Sequence, residues 1–137
     1  MKIINCITIL TLLFFSCSNQ ENYIQNVYID VEIDLNLPEY SEIKTSGNSM
    51  FIKGGVEGII IYHGVGNDYK IYDRNCSYEP SLICSVIDSV NSGIAYCGCC
   101  TSAFLISNNA EPINNPALLP LKSYKWSLNN NILRIFN

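Results

Sequence analysis

Five cysteines that lie close together along the chain are the residues most able to do chemistry. The chain has seven cysteines, and all but Cys6 and Cys17 fall within residues 76–100. Thiolates bind zinc and iron–sulfur clusters, and in an oxidising compartment cysteines form disulfides instead. Cysteines that merely fill a hydrophobic core would not cluster in this way. The clustering therefore predicts a metal centre or a set of bridges between Cys76, Cys84, Cys97, Cys99 and Cys100.

The five cysteines belong to two predicted loops. The first contains Cys76-Ser77-Tyr78-Glu79-Pro80 and, further on, Cys84, and the second is Cys97-Gly98-Cys99-Cys100. Two loops that each present cysteine can meet around one centre. The residues leave three states open, which are a [2Fe–2S] cluster, a zinc ion, and a metal-free site closed by disulfides.

The sequence does not favour catalysis or nucleic-acid binding. A cysteine nucleophile needs a nearby histidine base, and the single histidine, His63, lies outside the cysteine loops, where we expect an exposed turn residue. Asp73 and Glu79 flank Cys76, but we interpret them as solvated loop carboxylates. The formal net charge is −4 and no basic run occurs, so nucleic acid is a poor partner. We therefore expect a carrier or binding module and not an enzyme.

The elements around the cysteines are predicted to be short β-strands. Residues 27–35 alternate apolar and polar, which indicates a half-buried edge strand with an acidic outer face. Residues 58–63 form a β-branched run typical of a buried central strand, paired through a Gly-rich turn with 69–73. Further strands are predicted at 49–53, 94–96, 103–106, 124–128 and 132–136, with Asn129-Asn130-Asn131 closing the last hairpin.

No segment has a 3.6-residue apolar stripe, and about nine short strands are typical of an all-β antiparallel sandwich or barrel. The cysteine-rich segment, about residues 74–106, is predicted to be a small lobe inserted on this scaffold. The prediction is one domain over residues 27–137.

The first residues resemble an export signal. Lys2 precedes the apolar residues 7–15, and Ser16-Cys17 resembles a lipobox, in which Cys17 is acylated. The hypothesis is a lipoprotein signal peptide at 1–16, a polar tether at 17–26, and a protein held by lipid on the bacterial cell envelope, at the periplasmic face or the outer membrane. An ordinary signal peptide, or an anchor that is never cleaved, remains an alternative.

Three stretches together resemble one family. Cys97-Gly98-Cys99-Cys100-Thr101-Ser102-Ala103-Phe104 resembles the second motif of Rieske domains, C-P-C-H-G-S-x-F. Upstream, residues 72–76 (YDRNC) match the strand end before the first motif, and residues 116–124 (PALLPLKSY) match the downstream segment. The chain is similar to Rieske-like lipoproteins of Bacteroidetes-type bacteria. The resemblance implies an all-β Rieske-like (ISP-type) fold, a [2Fe–2S] cluster and electron transfer to an unidentified redox partner.

The ligand set departs from the family pattern. Tyr78 and Cys100 stand where Rieske domains have histidine. The resemblance then implies Cys76, Cys97 and Cys100 as ligands, with Tyr78 or Cys84 as the fourth. It also implies a disulfide between Cys84 and Cys99. The N-terminus has no twin arginine, so a chain exported unfolded would arrive without a cluster, which favours the metal-free alternative.

Overall fold

A computed structural model describes residues 23–137. The predicted signal peptide and Cys17 lie outside the described residues. Across residues 23–137 the chain forms ten strands and two 3₁₀ turns, at Pro38–Tyr40 and Glu42–Lys44. In the same range, we find no helix with the length and apolar character needed to cross a membrane. The strands are β1 Asp30–Asp34, β2 Ser49–Ile52, β3 Ile59–His63, β4 Tyr69–Asp73, β5 Ile87–Asn91, β6 Ile94–Cys97, β7 Ala103–Leu105, β8 Glu111–Pro112, β9 Lys125–Asn129 and β10 Ile132–Phe136.

The strands form three antiparallel sheets. Their orders are β1-β10-β9, β2-β3-β4 and β5-β6-β7-β8. The first two sheets make the scaffold, and the third, with the loops that flank it, makes the cysteine-rich lobe. The predicted all-β fold with an inserted lobe is confirmed.

Strand β1 is the edge of its sheet, as its alternating pattern predicts. Ile29, Ile33 and Leu35 are buried, whereas Asp30 and Glu32 face solvent. Its partner β10 pairs Val31 with Ile135 and Ile33 with Leu133. The hairpin from β9 to β10 turns at Asn130 and Asn131, both of which have positive φ, as the Asn-rich turn predicts.

The central strand β3 is buried on both faces, because each face covers a different core. Ile59 and Ile61 belong to a cluster that we call the scaffold core. Ile60 belongs to a second cluster, the lobe core, which also contains Cys76, Cys97 and Phe104. All three isoleucines have no exposed surface. The uninterrupted apolar run of this strand therefore reflects two cores on its opposite faces.

The prediction of an exposed His63 is wrong. This side chain is only 7% exposed, and its ring stacks on Tyr69 with centroids 4.6 Å apart. The tight hairpin folds back over the ring, and Nε2 lies 2.6 Å from the carbonyl oxygen of Gly66. In the ladder, His63 pairs with Tyr69 and Ile59 pairs with Asp73, so His63 lies at the end of β3 remote from the first cysteine loop.

Two other features of the lobe and tether differ from the sequence prediction. Strands β5 and β8 were not predicted, and the pairing of β5 with β6 is irregular between Ile87 and Ser89. At the other end, Ile24 is 4% exposed and is therefore packed in the domain. The predicted boundary between tether and domain, at residues 26 and 27, thus lies within packed chain.

Candidate metal centre

The first cysteine loop begins at a buried carboxylate. Strand β4 ends at Asp73, which has no exposed surface. Its oxygens accept hydrogen bonds from the backbone N–H groups of Val56 (2.7 Å) and Asn75 (2.8 Å), and from the Tyr124 hydroxyl at 2.5 Å. The interpretation of Asp73 as a solvated loop carboxylate is therefore wrong. It joins the β2–β3 loop, the start of the cysteine loop and Tyr124, which directly precedes β9. Of Asp73 and Glu79, Glu79 is the exposed carboxylate.

Beyond Asp73, the loop is closed by hydrogen bonds to its own backbone. The Asn75 side-chain amide donates to the carbonyls of Pro80 (3.0 Å) and Ser85 (3.2 Å). The N–H of Cys76 also donates to Ser85, at 2.8 Å, and the Ser85 hydroxyl donates to the carbonyl of Tyr78 at 2.6 Å. These bonds hold Cys76 in the lobe core, where it has no exposed surface.

The second loop connects β6 to β7. Cys97 ends β6, and its N–H donates to the carbonyl of Ser102 at 3.1 Å. The Ser102 hydroxyl accepts from the N–H of Ala117 at 2.9 Å, which fixes a third loop, residues 113–120, against the second. The Ser77 hydroxyl donates to the carbonyl of Leu119 at 2.6 Å and ties this third loop to the first. Three loops thus meet at one end of the lobe.

Three cysteine sulfurs converge there. The Sγ atoms of Cys76, Cys97 and Cys100 all lie within 4.8 Å of one another, and those of Cys76 and Cys100 are 4.0 Å apart. Cys76 and Cys97 are buried and Cys100 is partly exposed. A centre held here would therefore be covered on its protein side and open to partners on the Cys100 side.

The three thiols differ in acidity. Burial raises the pKa of Cys76 and that of Cys97. Partial burial opposes ionisation of Cys100 as well, but hydrogen bonds from the Ser102 hydroxyl and N–H outweigh it, so the pKa of Cys100 is lowered. Because a metal binds thiolates, occupation of this site would release protons from the two buried thiols and would become tighter as the pH rises.

Hydrogen bonding from backbone N–H groups partly opposes the rise in pKa of the buried thiols. The N–H of Tyr78 lowers the pKa of Cys76, and those of Cys99 and Cys100 lower the pKa of Cys97. Such bonds stabilise negative charge on sulfur and tune a bound metal. Sequence reasoning had identified the cysteines but not the supporting residues Asn75, Ser77 and Ser85, because nothing in their local pattern separates them from ordinary loop residues.

The remaining two cysteines are joined to each other. Cys84 and Cys99 form a disulfide with Cα atoms 5.1 Å apart, the pair that the family resemblance implied. A disulfide sulfur is not a thiolate, so Cys84 is not available beside the triad in this structure. Of the two residues considered for a fourth ligand, Tyr78 remains. It is half-buried and packs against the lobe core that contains Cys76 and Cys97.

The donor set suits a thiophilic metal group. The three thiols supply three of the four ligands that a [2Fe–2S] cluster or a zinc ion requires. The fourth, predicted to be Tyr78, would have to come from the first cysteine loop. Sulfurs bound to one tetrahedral zinc ion lie about 3.8 Å apart if each Zn–S bond is about 2.3 Å. The sulfurs of the triad all lie within 4.8 Å of one another, which is close to this spacing. Ligands on the two irons of a cluster spread further, so the triad would have to open to hold one.

Comparisons with known proteins identify the fold of this chain but no family. No family model matches the chain, and no curated protein matches it. Among solved structures, it is similar to a chain from "Complex of reduced oxygenase and oxidized ferredoxin in carbazole 1,9a-dioxygenase", with 12% identity and a TM-score of 0.52 over 82% of this chain and 94% of that chain.

Two ferredoxins were also found. That of carbazole 1,9a-dioxygenase from Nocardioides aromaticivorans IC177 shares 13% identity over 80% of this chain and 97% of its own, at a TM-score of 0.49. A ferredoxin of Sphingomonas yanoikuyae B1 shares 15% over 68% and 88%, also at 0.49. We base the argument on the first similarity, which has the higher score. Residues 23–137 therefore have the all-β fold of Rieske-type ferredoxins.

Proposed function

We propose that this protein is an electron-transfer module of the cell envelope, with a Rieske-like domain that binds a [2Fe–2S] cluster. The observation that supports it is the convergence of Cys76, Cys97 and Cys100 from two loops at one end of a Rieske-like, all-β fold. The partner is a redox protein, by analogy with the solved complex of a reduced oxygenase and an oxidized ferredoxin. The domain itself is proposed to be a carrier and not an enzyme.

In this proposal, Cys76, Cys97 and Cys100 hold the cluster, with Tyr78 as the fourth ligand. When bound, the cluster would accept and release one electron. Cys76 and Cys97 would shield it from water, and the N–H groups of the two loops would stabilise the charge on their sulfurs. The Cys84–Cys99 disulfide would keep the two loops together as the charge changes.

The test is to measure iron and acid-labile sulfide in the purified protein and to record its visible and electron-paramagnetic-resonance spectra. The proposal predicts two irons and two sulfides per chain. Cys97→Ser should abolish both, whereas Val65→Ser, an exposed change in the β3–β4 turn, should leave them unchanged. Since thiolate and phenolate ligands carry no proton to lose, the reduction potential should be low and nearly constant from about pH 6 to 9. A protein with neither iron nor sulfide after anaerobic reconstitution would contradict the proposal.

A second candidate function is a structural or binding module whose cysteine loops are held by a single zinc ion. The compactness of the triad favours it, because all three sulfurs lie within 4.8 Å. This alternative predicts one zinc per chain, no sulfide and no redox activity. It also predicts that a chelator lowers thermal stability as much as Cys97→Ser does. A chain that holds no metal, with Cys76 and Cys100 bridged, would instead identify a metal-free binding module.

The membrane part of the proposal rests on the sequence. We propose that Cys17 is acylated after removal of residues 1–16, and that the lipid holds the protein on the envelope. Mass spectrometry of the mature N-terminus should find diacylglycerol on Cys17. Cys17→Ser should leave an uncleaved precursor or release the protein from membranes. A Cys17→Ser protein that is cleaved and retained normally would contradict the anchor without affecting the metal proposal.

A further inference from the structure

Apolar side chains are exposed beside the triad. Ile83 is 95% exposed and Leu118 is 82% exposed, and Leu82 and Leu119 are nearly half exposed. They come from the first cysteine loop and the third loop. Residues 77–82 line one groove together with Pro116, Leu118 and Leu119, and the bond from Ser77 to Leu119 holds its two walls together. We call the four exposed side chains Leu82, Ile83, Leu118 and Leu119 the apolar tip.

The charge around the apolar tip is low. Among the residues that line the groove, Glu79 is the one charged side chain, and no lysine or arginine is among them. An occupant of this surface would therefore be bound through burial of apolar area and not through attraction between charges. Four exposed aliphatic side chains on adjacent loops are more than the scattered apolar residues of an ordinary surface.

The chain enters the domain next to this tip. Going backwards from β1, the Val27 carbonyl accepts a hydrogen bond from Asn137 at 2.6 Å, and the Gln25 carbonyl accepts one from Lys122 at 2.7 Å. The Tyr23 hydroxyl then donates to the carbonyl of Pro120 at 3.1 Å. Pro120 directly follows Leu118 and Leu119, so this path approaches the apolar tip.

The second apolar loop lies beside the same point. Tyr23 lines a small cavity together with Asn75, Pro80 and Ser81. Ser81 directly precedes Leu82 and Ile83. Tyr23 thus lies next to both halves of the apolar tip. Its neighbour Ser81 directly precedes one half, and its neighbour Pro120 directly follows the other.

The distance from Tyr23 to the proposed lipid is short. Tyr23 is six residue steps after Cys17 in the sequence, with five residues between them. Fully extended, six residues reach about 20 Å. A domain of this size is about 35 Å across, given a radius of gyration of about 13 Å. The tether is therefore too short to let the domain turn freely with any face toward the bilayer.

We infer that the apolar tip inserts into the interface of the bilayer that carries the lipid on Cys17, so that the cysteine triad faces the membrane. This inference rests on the proposed lipid anchor. The tether brings the tip to the surface, and transfer of the four side chains out of water stabilises the contact. Because no lysine or arginine lines the groove, anionic lipid should not strengthen the contact, and salt should not weaken it.

Tryptophan quenching tests the orientation in the full lipidated protein. It is placed in phosphatidylcholine vesicles made with or without dibrominated acyl chains, and two variants are compared with the parent, which contains Trp126. Ile83→Trp lies in the apolar tip. Val65→Trp lies in the β3–β4 turn, at the end of this hairpin that is remote from the first cysteine loop. Both wild-type side chains are nearly fully exposed, at 95% and 89%, so neither change disturbs the packing.

The inference predicts that brominated lipid quenches Ile83→Trp and leaves Val65→Trp at the parent level. Adding Leu118→Asp to Ile83→Trp should shift the equilibrium away from the inserted state at least about ten-fold, because one aliphatic side chain no longer leaves water. Flotation of the same vesicles reports the anchor separately. Protein that floats but is not quenched at position 83, or is quenched equally at 65, overturns the orientation and leaves the anchor standing. Protein that is not acylated and does not float overturns both.

Discussion

The scaffold core and the lobe core are packed with different kinds of side chain. The scaffold core consists mainly of isoleucine, leucine and tyrosine from both sheets. The lobe core includes three alanines and two cysteines, and buried Asn75, Ser77, Ser85 and Ser102 surround it. Small side chains bury less apolar area, so each stabilises the fold less. The lobe compensates with side-chain hydrogen bonds and a disulfide, and its shape is thus tied to the chemistry of its cysteines.

This difference suggests that the two regions respond to different perturbations. Loss of a scaffold side chain should destabilise the whole domain, because its sheets share one core. Loss of a link in the lobe should open the cysteine loops while the scaffold persists. Four substitutions test this expectation, in order of decreasing effect.

Asp73 joins both regions, so its removal should have the largest effect. Asp73→Ala would leave the N–H groups of Val56 and Asn75 and the Tyr124 hydroxyl buried without an acceptor, and should cost roughly 3–5 kcal/mol of unfolding free energy. Urea unfolding measures it. Asp68→Ala, at the exposed start of the same strand, should cost little, since its ion pair with Lys70 is on the surface. Equal effects of the two substitutions would contradict the role of Asp73.

Ile61→Ala tests the scaffold core alone. Its side chain has no exposed surface, and truncation should cost about 3 kcal/mol through lost burial and a residual cavity. The metal or thiol content of the folded protein should not change. A variant that unfolds the lobe first, seen as faster hydrogen exchange confined to residues 76–104, would show that the two cores are not separable in this way.

The disulfide tests the lobe alone. Cys84 and Cys99 are 15 residues apart, and their bond should contribute about 2–3 kcal/mol. The double variant Cys84→Ser, Cys99→Ser should raise hydrogen exchange in the two cysteine loops and leave β1, β9 and β10 protected. Wild-type protein in reductant should behave in the same way. Uniform loss of protection across all three sheets would contradict the expected division.

Tyr72 gives the smallest effect and a dependence on pH. Its hydroxyl donates to the carbonyl of Ile106 at 3.1 Å, between scaffold and lobe, and burial raises its pKa to about 12. The unfolded chain ionises near pH 10, so this stabilisation is complete below pH 10 and is lost as the pH rises from 10 to 12. Tyr72→Phe should cost about 1 kcal/mol at neutral pH and flatten the alkaline decline, measured by urea unfolding at several pH values.

Much of the scaffold could be predicted from the sequence, because its strands carry strong local patterns. Alternation identified β1, and the run of three isoleucines identified β3, whose two faces cover two cores. Strand β5 was missed because its Ile-Asp-Ser-Val-Asn segment is mostly polar and its register is irregular. Strand β8 has two residues, too few for any period. His63 was misjudged because its burial depends on Tyr69 across the hairpin, which no local pattern reports.

The sequence predicted the cysteines of the candidate site but not the polar residues that hold its loops in place. Residue type and clustering pointed to the five cysteines of residues 76–100. The resemblance to Rieske domains then implied Cys76, Cys97 and Cys100 as ligands and Cys84–Cys99 as a disulfide. The role of Asp73 was missed because its partners, Val56 and Tyr124, are distant in sequence. Burial of a carboxylate is decided by such long-range partners, and a single sequence does not reveal them.

The pairing of β1 with β10 has a consequence for how the chain folds. Asp30 and Arg134, which bond across these two strands, are 104 residues apart in the chain. The sheet that holds the scaffold core therefore cannot close until nearly the last residue is available, and such non-local closure is slow. The two outer strands of this sheet pair with β10 from both sides, so a chain without β10 leaves β1 and β9 without a partner. The scaffold therefore forms late and as one unit, after its most distant strands have met.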